Sequence, residues 1–201
     1  AKMKILLKMA NGIDMIRTYR KGGKVMKLIY RELYMNKIIH AMGTPDIKVI
    51  TGVRRSGKSK LLEAFSDYIK KNISTANIIF VNFNLPEYES LLSYKALYEF
   101  IHSQYKENAH NFVFIDEVQM CAGFEKAING LHASEKFDIY ITGSNAFLLS
   151  SDLVTLFTGR TFEVKIYPFS FKEYMNYFPS QNKDKAFSAY LKEGGMAGSY
   201  L

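Results

Sequence analysis

One stretch, Gly52–Ser59, constrains the fold more than any other part of the chain. It reads Gly-Val-Arg-Arg-Ser-Gly-Lys-Ser, which fits G-x-x-x-x-G-K-[ST], with an apolar run before it and leucines at helical spacing after it. Glycines let the backbone curl so that successive N–H groups point at phosphate oxygens. A following helix adds its positive N-terminal end. The stretch therefore predicts a nucleotide phosphate loop between a strand and a helix.

Residue types within this loop predict separate roles. Lys58 has the reach to contact the β- and γ-phosphates as a point charge, and the Ser59 hydroxyl can complete a Mg²⁺ shell. Arg54 and Arg55 add positive potential near the phosphates, or face a neighbouring subunit. The predicted nucleotide-binding residues are Gly52, Val53, Arg54, Arg55, Ser56, Gly57, Lys58, Ser59 and Lys60.

A second motif, residues 112–117, is an apolar strand that ends in two acids. Folds with buried parallel strands place ligands at the carboxyl ends of those strands. Asp116 at that edge can hold Mg²⁺ in line with Ser59. Glu117 can accept the proton of an attacking water or orient it. Strands also end in acids by chance, but the phosphate loop upstream favours a second half of the same site.

Two weaker motifs follow. Ser144 and Asn145 come directly after the fourth predicted strand, where either side chain can bond the γ-phosphate or the lytic water. Gly-Ser-Asn is also ordinary turn chemistry. Arg160 precedes the fifth strand and can act on transition-state charge, in cis or on a neighbouring subunit. A surface arginine without a catalytic role is the default for such a position.

Strand-like and helix-like runs alternate along the chain, which predicts βαβ units and a mostly parallel sheet with helices on both faces. The fold class is α/β. We expect a P-loop core over residues 28–167 and a short helical extension over 168–201 that begins a lid region.

The charge is concentrated at the start. The first 31 residues hold nine Lys and Arg against one acid, Asp14, and the remainder holds 18 of each sign. Residues 1–27 form a basic leader that we expect to be an unstructured extension with a processed or added start, although a basic arm for nucleic acid or a membrane surface is the alternative. One cysteine excludes a disulfide framework and favours the cytoplasm. No apolar run reaches the roughly 18 residues of a membrane span.

Taken in order, these motifs resemble one known family: the prokaryotic AAA+-like ATPases that carry a C-terminal nuclease-like domain. The resemblance covers about residues 27–198 and includes the opening Arg31-Glu32-Leu33-Tyr34. The stretches that carry it are residues 50–59, 114–119, 141–145, 159–160, 167–174 and 190–196.

The resemblance implies an ATPase core with a five-stranded sheet of order 5-1-4-3-2, with ATP and Mg²⁺ as ligands and AAA+-like contacts between subunits. It implies Walker A roles for Lys58 and Ser59, Walker B roles for Asp116 and Glu117, and a sensor 1 role for Ser144 or Asn145. Two departures matter. Ala197 stands where the family has proline, and the chain stops at Leu201, where the family continues into a winged-helix lid and the nuclease-like domain. We therefore expect weak hydrolysis by this chain.

Three other function classes stay open. Asp116 to Gln119 also fits D-E-x-Q helicases, which need a second core domain and would respond to nucleic acid. A small-molecule kinase needs a lid rich in arginine, whereas Arg160 is the sole arginine after Arg55. A binding-only nucleotide sensor would dispense with Glu117. The interpretation we favour is a Mg²⁺-dependent ATPase core that serves as a switch or motor for an output domain or partner, with nucleic acid as one candidate partner.

Overall fold

The computed structural model describes residues 16–21, 24–29, 31–143, 157, 159–178 and 182–196, the first two ranges for the backbone alone. Short 3-10 turns lie at Pro86–Leu91 and Val118–Met120. The strands and helices in chain order are β1 (Ile16–Lys21), β2 (Lys24–Ile29), α1 (Glu32–Ala41), β3 (Ile47–Gly52), α2 (Lys58–Asn72), β4 (Ala76–Asn82), α3 (Tyr94–Ser103), β5 (His110–Asp116), α4 (Phe124–Ala133), β6 (Asp138–Thr142), β7 (Thr161–Ile166), α5 (Phe171–Tyr177) and α6 (Lys183–Glu193).

Five strands form one parallel sheet in the order β4-β5-β6-β3-β7. Counted from the first core strand, this order is 5-1-4-3-2, so the predicted α/β fold and strand order are confirmed. Parallel neighbours end at the same edge of a sheet. The register pairs Ile50 with Thr142 and Ile115 with Ile141. The carboxyl ends of β3, β5 and β6 therefore lie side by side.

A hydrophobic cluster covers each face of this sheet. On one face α1 and α2 pack against the strands, and Phe65 of α2 is fully buried with its ring centroid 5.1 Å from that of Tyr140. On the other face α3 and α4 contribute Leu97, Ile101 and Leu131, all at 0% exposure. Near-continuous apolar strands such as β5 are what a sheet covered on both faces requires.

The helix starts follow from local sequence. The Ser93 side chain accepts a hydrogen bond from the N–H of Ala96 at the start of α3. Ser170 and Glu173 form a capping box at the start of α5, and the Asn182 side chain accepts from the N–H of Lys185 at the start of α6. Such caps satisfy backbone donors that the first turn leaves free. Both α5 and α6 lie within the segment 168–201, for which the sequence predicts a helical extension.

A β-hairpin precedes the core. Strands β1 and β2 pair antiparallel, with Ile16 opposite Ile29 and Lys21 opposite Lys24. We expected an unstructured extension up to Lys27, and the backbone differs from that expectation over these two strands. The signal in the sequence is the dipeptide Gly22-Gly23, a composition typical of hairpin turns, between two runs that contain β-branched and aromatic residues. The lysines and arginines of the segment obscured that pattern.

At the amino edge of the sheet, opposite the phosphate loop, lies a buried ion pair. Lys48 is 0% exposed, and its Nζ donates to Asp138 Oδ1 at 2.7 Å and to the Thr44 carbonyl at 2.6 Å. The other carboxylate oxygen of Asp138 accepts from the Gly43 N–H and the Tyr140 hydroxyl. A buried charge is tolerated when its partner and hydrogen bonds are in place.

We therefore expect Asp138→Ala to lower the free energy of unfolding by about 3–5 kcal/mol, because it leaves the ammonium of Lys48 buried without its charge partner. Urea unfolding measures this. The double variant Lys48→Met/Asp138→Ala should recover part of the loss, since an apolar side chain of similar length replaces the stranded charge. A double variant no more stable than Asp138→Ala would contradict the assignment.

Candidate functional site

The phosphate loop leaves the end of β3 and curls into α2. Gly52 has φ +153°, and a Cβ there would lie 2.5 Å from the Ile166 carbonyl oxygen, closer than atoms can approach. Gly57 has φ +100° and stands at the N-cap of α2. Both glycines of the motif are therefore required by backbone geometry. Arg55 between them is also left-handed, at φ +66°, a strained conformation for a non-glycine residue.

Lys58 lies against the inside of this loop. It is 4% exposed, and its Nζ donates to the carbonyl oxygens of Gly52 at 3.1 Å and Val53 at 3.2 Å. Burial lowers the pKa of Lys58, while the charges of Glu117 and Asp116 act in the opposite direction. An ammonium has three donors, and two of them are used by neutral carbonyls. Lys58 is thus a buried cation at the centre of the predicted phosphate cradle.

Asp116 ends β5, which β6 separates from β3, and is fully buried. Burial raises the pKa of its carboxyl, and hydrogen bonds from Thr142 and Ser59 partly offset that effect. The Thr142 hydroxyl donates to Oδ1 at 2.5 Å. Among the described residues, Oδ2 meets no donor at full hydrogen-bonding geometry. A buried carboxylate oxygen without a donor is costly unless a cation or water completes it.

Glu117 follows Asp116 in a left-handed conformation, at φ 56° and ψ 51°. Its N–H donates to the Thr142 hydroxyl at 3.1 Å, and its Oε2 accepts from Gln119 Nε2 at 2.5 Å. The Thr142 hydroxyl therefore links the backbone of one acid to the carboxylate of the other. Gln119 holds the Glu117 carboxylate, and the strained backbone turns that carboxylate out of the strand direction. The sequence motifs assign no role to Thr142 or Gln119, although Thr142 ends β6 and Gln119 follows the adjacent strand β5.

The remaining loop residues divide by exposure. Val53, Arg54 and Arg55 are exposed at the tip of the loop, and Ser56 is buried with its Oγ unpaired among the described residues. Lys60 points along α2, where its Nζ lies 2.6 Å from Glu63 Oε2. Ser144 and Asn145, the predicted sensor residues, lie outside the described residues.

Arg160 is not brought to this edge. It is exposed, and its carbonyl accepts the N–H of Ile47 at the start of β3 at 2.9 Å. The phosphate loop begins at the other end of β3, where Gly52 pairs with Ile166. Six residues of strand separate the two ends, about 17 Å at the rise of a β-strand. Arg160 therefore lies at the edge of the sheet opposite to the phosphate loop of its own chain.

Arg31 also contacts the phosphate loop, although the sequence motifs include it only within the opening stretch of the family resemblance. Arg31 is 4% exposed, although it carries a charge, and its Nη1 donates to the carbonyl of Ser56 in the phosphate loop at 2.9 Å. Its Nε and Nη2 donate to the two carboxylate oxygens of Glu173 at 2.7 and 3.1 Å. No local pattern reveals this, because Glu173 is 142 residues away. Burial alone would raise the pKa of Glu173, but Arg31, aided by Ser170, lowers it below its usual value of 4.5.

Comparison with known proteins identifies the family. The model of one family, described as the AAA domain, matches residues 44–175. The chain belongs to the AAA domain family. This match covers the phosphate loop, both acids and the first part of α5. The AAA+-like part of the resemblance is thereby confirmed, and the C-terminal nuclease-like domain stays a prediction.

Two curated relatives of this AAA domain are longer. The chain is 42% identical over 175 residues to an uncharacterized protein of Haemophilus influenzae, covering 84% of this chain and 44% of the relative. It is 32% identical over 175 residues to one of Methanocaldococcus jannaschii, covering 84% of this chain and 36% of the relative. The chain thus spans less than half the length of these relatives.

Solved structures show the same fold. AMPPCP-bound DnaA from Aquifex aeolicus superposes with a TM-score of 0.55 at 18% identity, over 84% of this chain and 57% of the DnaA chain. Aeropyrum pernix ORC1 in complex with DNA superposes with a TM-score of 0.57 at 12% identity, over 85% of this chain and 57% of ORC1. Within the described residues, no helix has the length and apolar character to cross a membrane.

We expect Asp116→Asn to raise the free energy of unfolding by about 1 kcal/mol without nucleotide or Mg²⁺, because a neutral amide is less costly to bury than an incompletely paired carboxylate. Urea unfolding of the chain without ligand measures this. Glu117→Gln is the matched control, since Glu117 is only partly buried and already bonded to Gln119. A loss of stability in Asp116→Asn would show that the carboxylate is fully compensated.

The Glu173 carboxylate should stabilise the fold at neutral pH. Its pKa is lower in the folded than in the unfolded chain. The stabilising contribution of the carboxylate is therefore complete at pH values above the pKa in the unfolded chain. It is lost as the pH falls through the lower pKa in the folded chain. We expect the gap in unfolding free energy between the wild type and Glu173→Gln to narrow below about pH 4.5. Urea unfolding from pH 7 to pH 3 measures it, with the exposed Glu107→Gln as control; a gap independent of pH would contradict this.

Proposed function

We propose that this AAA domain binds ATP with Mg²⁺ and hydrolyses it, in the cytoplasm, as the ATPase core of a switch or motor. One observation carries the proposal. A buried lysine, a hydroxyl and two acids from two segments of the chain meet at the carboxyl edge of the sheet: Lys58, Ser59, Asp116 and Glu117. Such a set matches the parts that phosphoryl transfer needs, namely a cation for phosphate, oxygens for Mg²⁺ and a base for water.

The residues present fit Mg²⁺ and a triphosphate. Asp116 Oδ2 is buried and meets no donor at full hydrogen-bonding geometry among the described residues, and the Ser59 hydroxyl lies close enough to the same carboxyl to lower its pKa. Oxygen ligands from one carboxylate and one hydroxyl, completed by water and phosphate, are what Mg²⁺ prefers. When bound, Mg²⁺ would neutralise charge on the β- and γ-phosphates. The loop N–H groups and Lys58 would hold the phosphate oxygens.

Glu117 is the residue that we assign to the attacking water. Gln119 orients its carboxylate, and the Thr142 hydroxyl fixes its backbone N–H. A carboxylate so held can orient a water and accept its proton. Ser144 or Asn145 then would contact the γ-phosphate, as the sequence predicts. The presence of Glu117 favours hydrolysis over a binding-only sensor.

Arg160 would act on the site of a neighbouring subunit. Its position at the opposite edge of the sheet from its own phosphate loop supports a role in trans over one in cis. Such an arginine contributes about 10³–10⁵-fold to turnover in related chemistry. The proposal therefore includes a homo-oligomer. An output domain or partner would receive the nucleotide-dependent motion, and nucleic acid is one candidate partner.

The direct test is steady-state ATP hydrolysis with Mg²⁺. We expect Lys58→Ala to lower turnover about 100-fold or more, through lost phosphate stabilisation, and Glu117→Gln to lower it about 10²–10⁴-fold with ATP binding retained. Lys70→Ala is the control, because Lys70 is exposed at the far end of the same helix. Absence of ATP binding by the wild type would overturn the proposal. Stimulation by DNA would favour the helicase-like alternative.

Mixing experiments separate action in trans from action in cis. Arg160→Ala keeps the acids of its own site, and Glu117→Gln keeps Arg160, so each variant supplies what the other lacks. We expect the mixture to exceed the summed turnover of the two separate variants, with Lys58→Ala plus Glu117→Gln as the inactive control mixture. A mixture no more active than its parts would assign Arg160 no role on a neighbouring subunit.

A further inference from the structure

Arg31 makes contacts that the hydrolysis site does not account for. Its guanidinium joins the phosphate loop at Ser56 to the segment after β7, where Nη2 donates to the Tyr167 carbonyl at 2.9 Å. The group lies between two rings, with its central carbon 4.4 Å from the Tyr34 centroid and 5.0 Å from that of Phe169. A planar guanidinium whose three nitrogens all donate hydrogen bonds has a defined orientation.

The contact with Ser56 sets the direction of one peptide unit of the loop. In a trans peptide the C=O and N–H groups point in opposite directions, and the structure has no cis peptide in its described part. Because Arg31 Nη1 holds the Ser56 oxygen at 2.9 Å, the Gly57 N–H of the same peptide points away from Arg31. Gly57 is the N-cap of α2, so this N–H belongs to the positive helix end that anions approach.

Glu173 sets the orientation of Arg31 in turn. The carboxylate accepts from Nε at 2.7 Å and from Nη2 at 3.1 Å, which is a bidentate pair. Glu173 is also the third residue of the capping box of α5, where its Oε2 accepts from the Ser170 N–H at 2.9 Å. One carboxylate therefore belongs both to the first turn of α5 and to the arginine that holds the loop.

We propose that Arg31 is a positioning residue that couples α5 to the phosphate loop. With the Arg31–Glu173 pair closed, the Gly57 N–H faces the bound triphosphate; with the pair open, the loop loses that orientation and its affinity for phosphate. The inference rests on the proposed function, because it requires that the loop bind ATP. By thermodynamic reciprocity, ATP binding also tightens the first turn of α5. A partner or domain that moves α5 thereby changes nucleotide affinity.

The first test is the Kd of Mg-ATP by calorimetry. Arg31→Lys keeps the positive charge and removes the guanidinium that bonds both carboxylate oxygens. Glu173→Gln keeps the shape of the side chain and removes its negative charge. We expect each to weaken ATP binding about tenfold or more, which corresponds to 1.4 kcal/mol. The double variant should be little weaker than either single one, because the residues act as a unit. Ser170→Ala is the matched control: it removes the cap hydroxyl, which also donates to Glu173 Oε2 at 3.0 Å, but removes no atom of the Arg31–Glu173 contacts.

The second test is hydrogen exchange of the α5 amides with and without Mg-ATP. ATP should increase protection of these amides in the wild type and in Ser170→Ala, and this increase should vanish in Glu173→Gln. A purely structural role of the pair would change protection equally with and without ATP. Urea unfolding of each variant identifies any variant that fails to fold. If Arg31→Lys fails to fold, Glu173→Gln alone tests the inference.

The outcomes are distinct. Wild-type ATP binding with an unchanged Kd in Arg31→Lys and Glu173→Gln overturns this inference alone. Equal weakening by Ser170→Ala also overturns it, because the effect then comes from the order of α5 and not from the pair. Absence of ATP binding in the wild type overturns the proposed function and the inference together.

Discussion

The structure depends on the parallel register that places the ends of β3, β5 and β6 side by side. That register puts Asp116 next to Thr142 and at the same edge of the sheet as the phosphate loop. Asp116 is fully buried, and one of its carboxylate oxygens meets no hydrogen-bond donor at full geometry among the described residues. Burying such an acid opposes folding, and the burial raises the pKa of its carboxyl. The two apolar faces of the sheet supply the free energy that keeps it there.

Strain is concentrated near the same edge. Arg55 and Glu117, both non-glycine residues, have positive φ beside the loop and after β5. Positive φ of this kind costs free energy that the surrounding packing must offset, and it turns side chains in directions that a regular strand cannot. By contrast, the charge at the other edge, Lys48, is fully paired with Asp138 and the Thr44 carbonyl. The amino edge is built for stability, whereas the carboxyl edge leaves groups free for a ligand.

Much of the fold followed from the sequence for definite reasons. The phosphate loop and the strand ending in Asp116-Glu117 are local patterns, and each was placed on the element that the structure has. The sheet order came from the resemblance, because strand order is a long-range property that periodicity does not contain. The hairpin of residues 16–29 was missed since its charged residues outweighed a short β pattern. Ser144 and Asn145 stay predictions.

The sequence by itself determined which groups the proposed site contains: a lysine and a serine at the end of a glycine loop, and two acids at the end of a buried strand. The roles proposed for these groups depend on residues close together in the chain. The tertiary structure decided which distant residues support them. Arg31 and Glu173 are 142 residues apart and meet because the segment after β7 returns beside the start of α1. It also decided that Arg160 lies at the amino edge, because strand direction, and not sequence distance, fixes the edge at which a residue emerges.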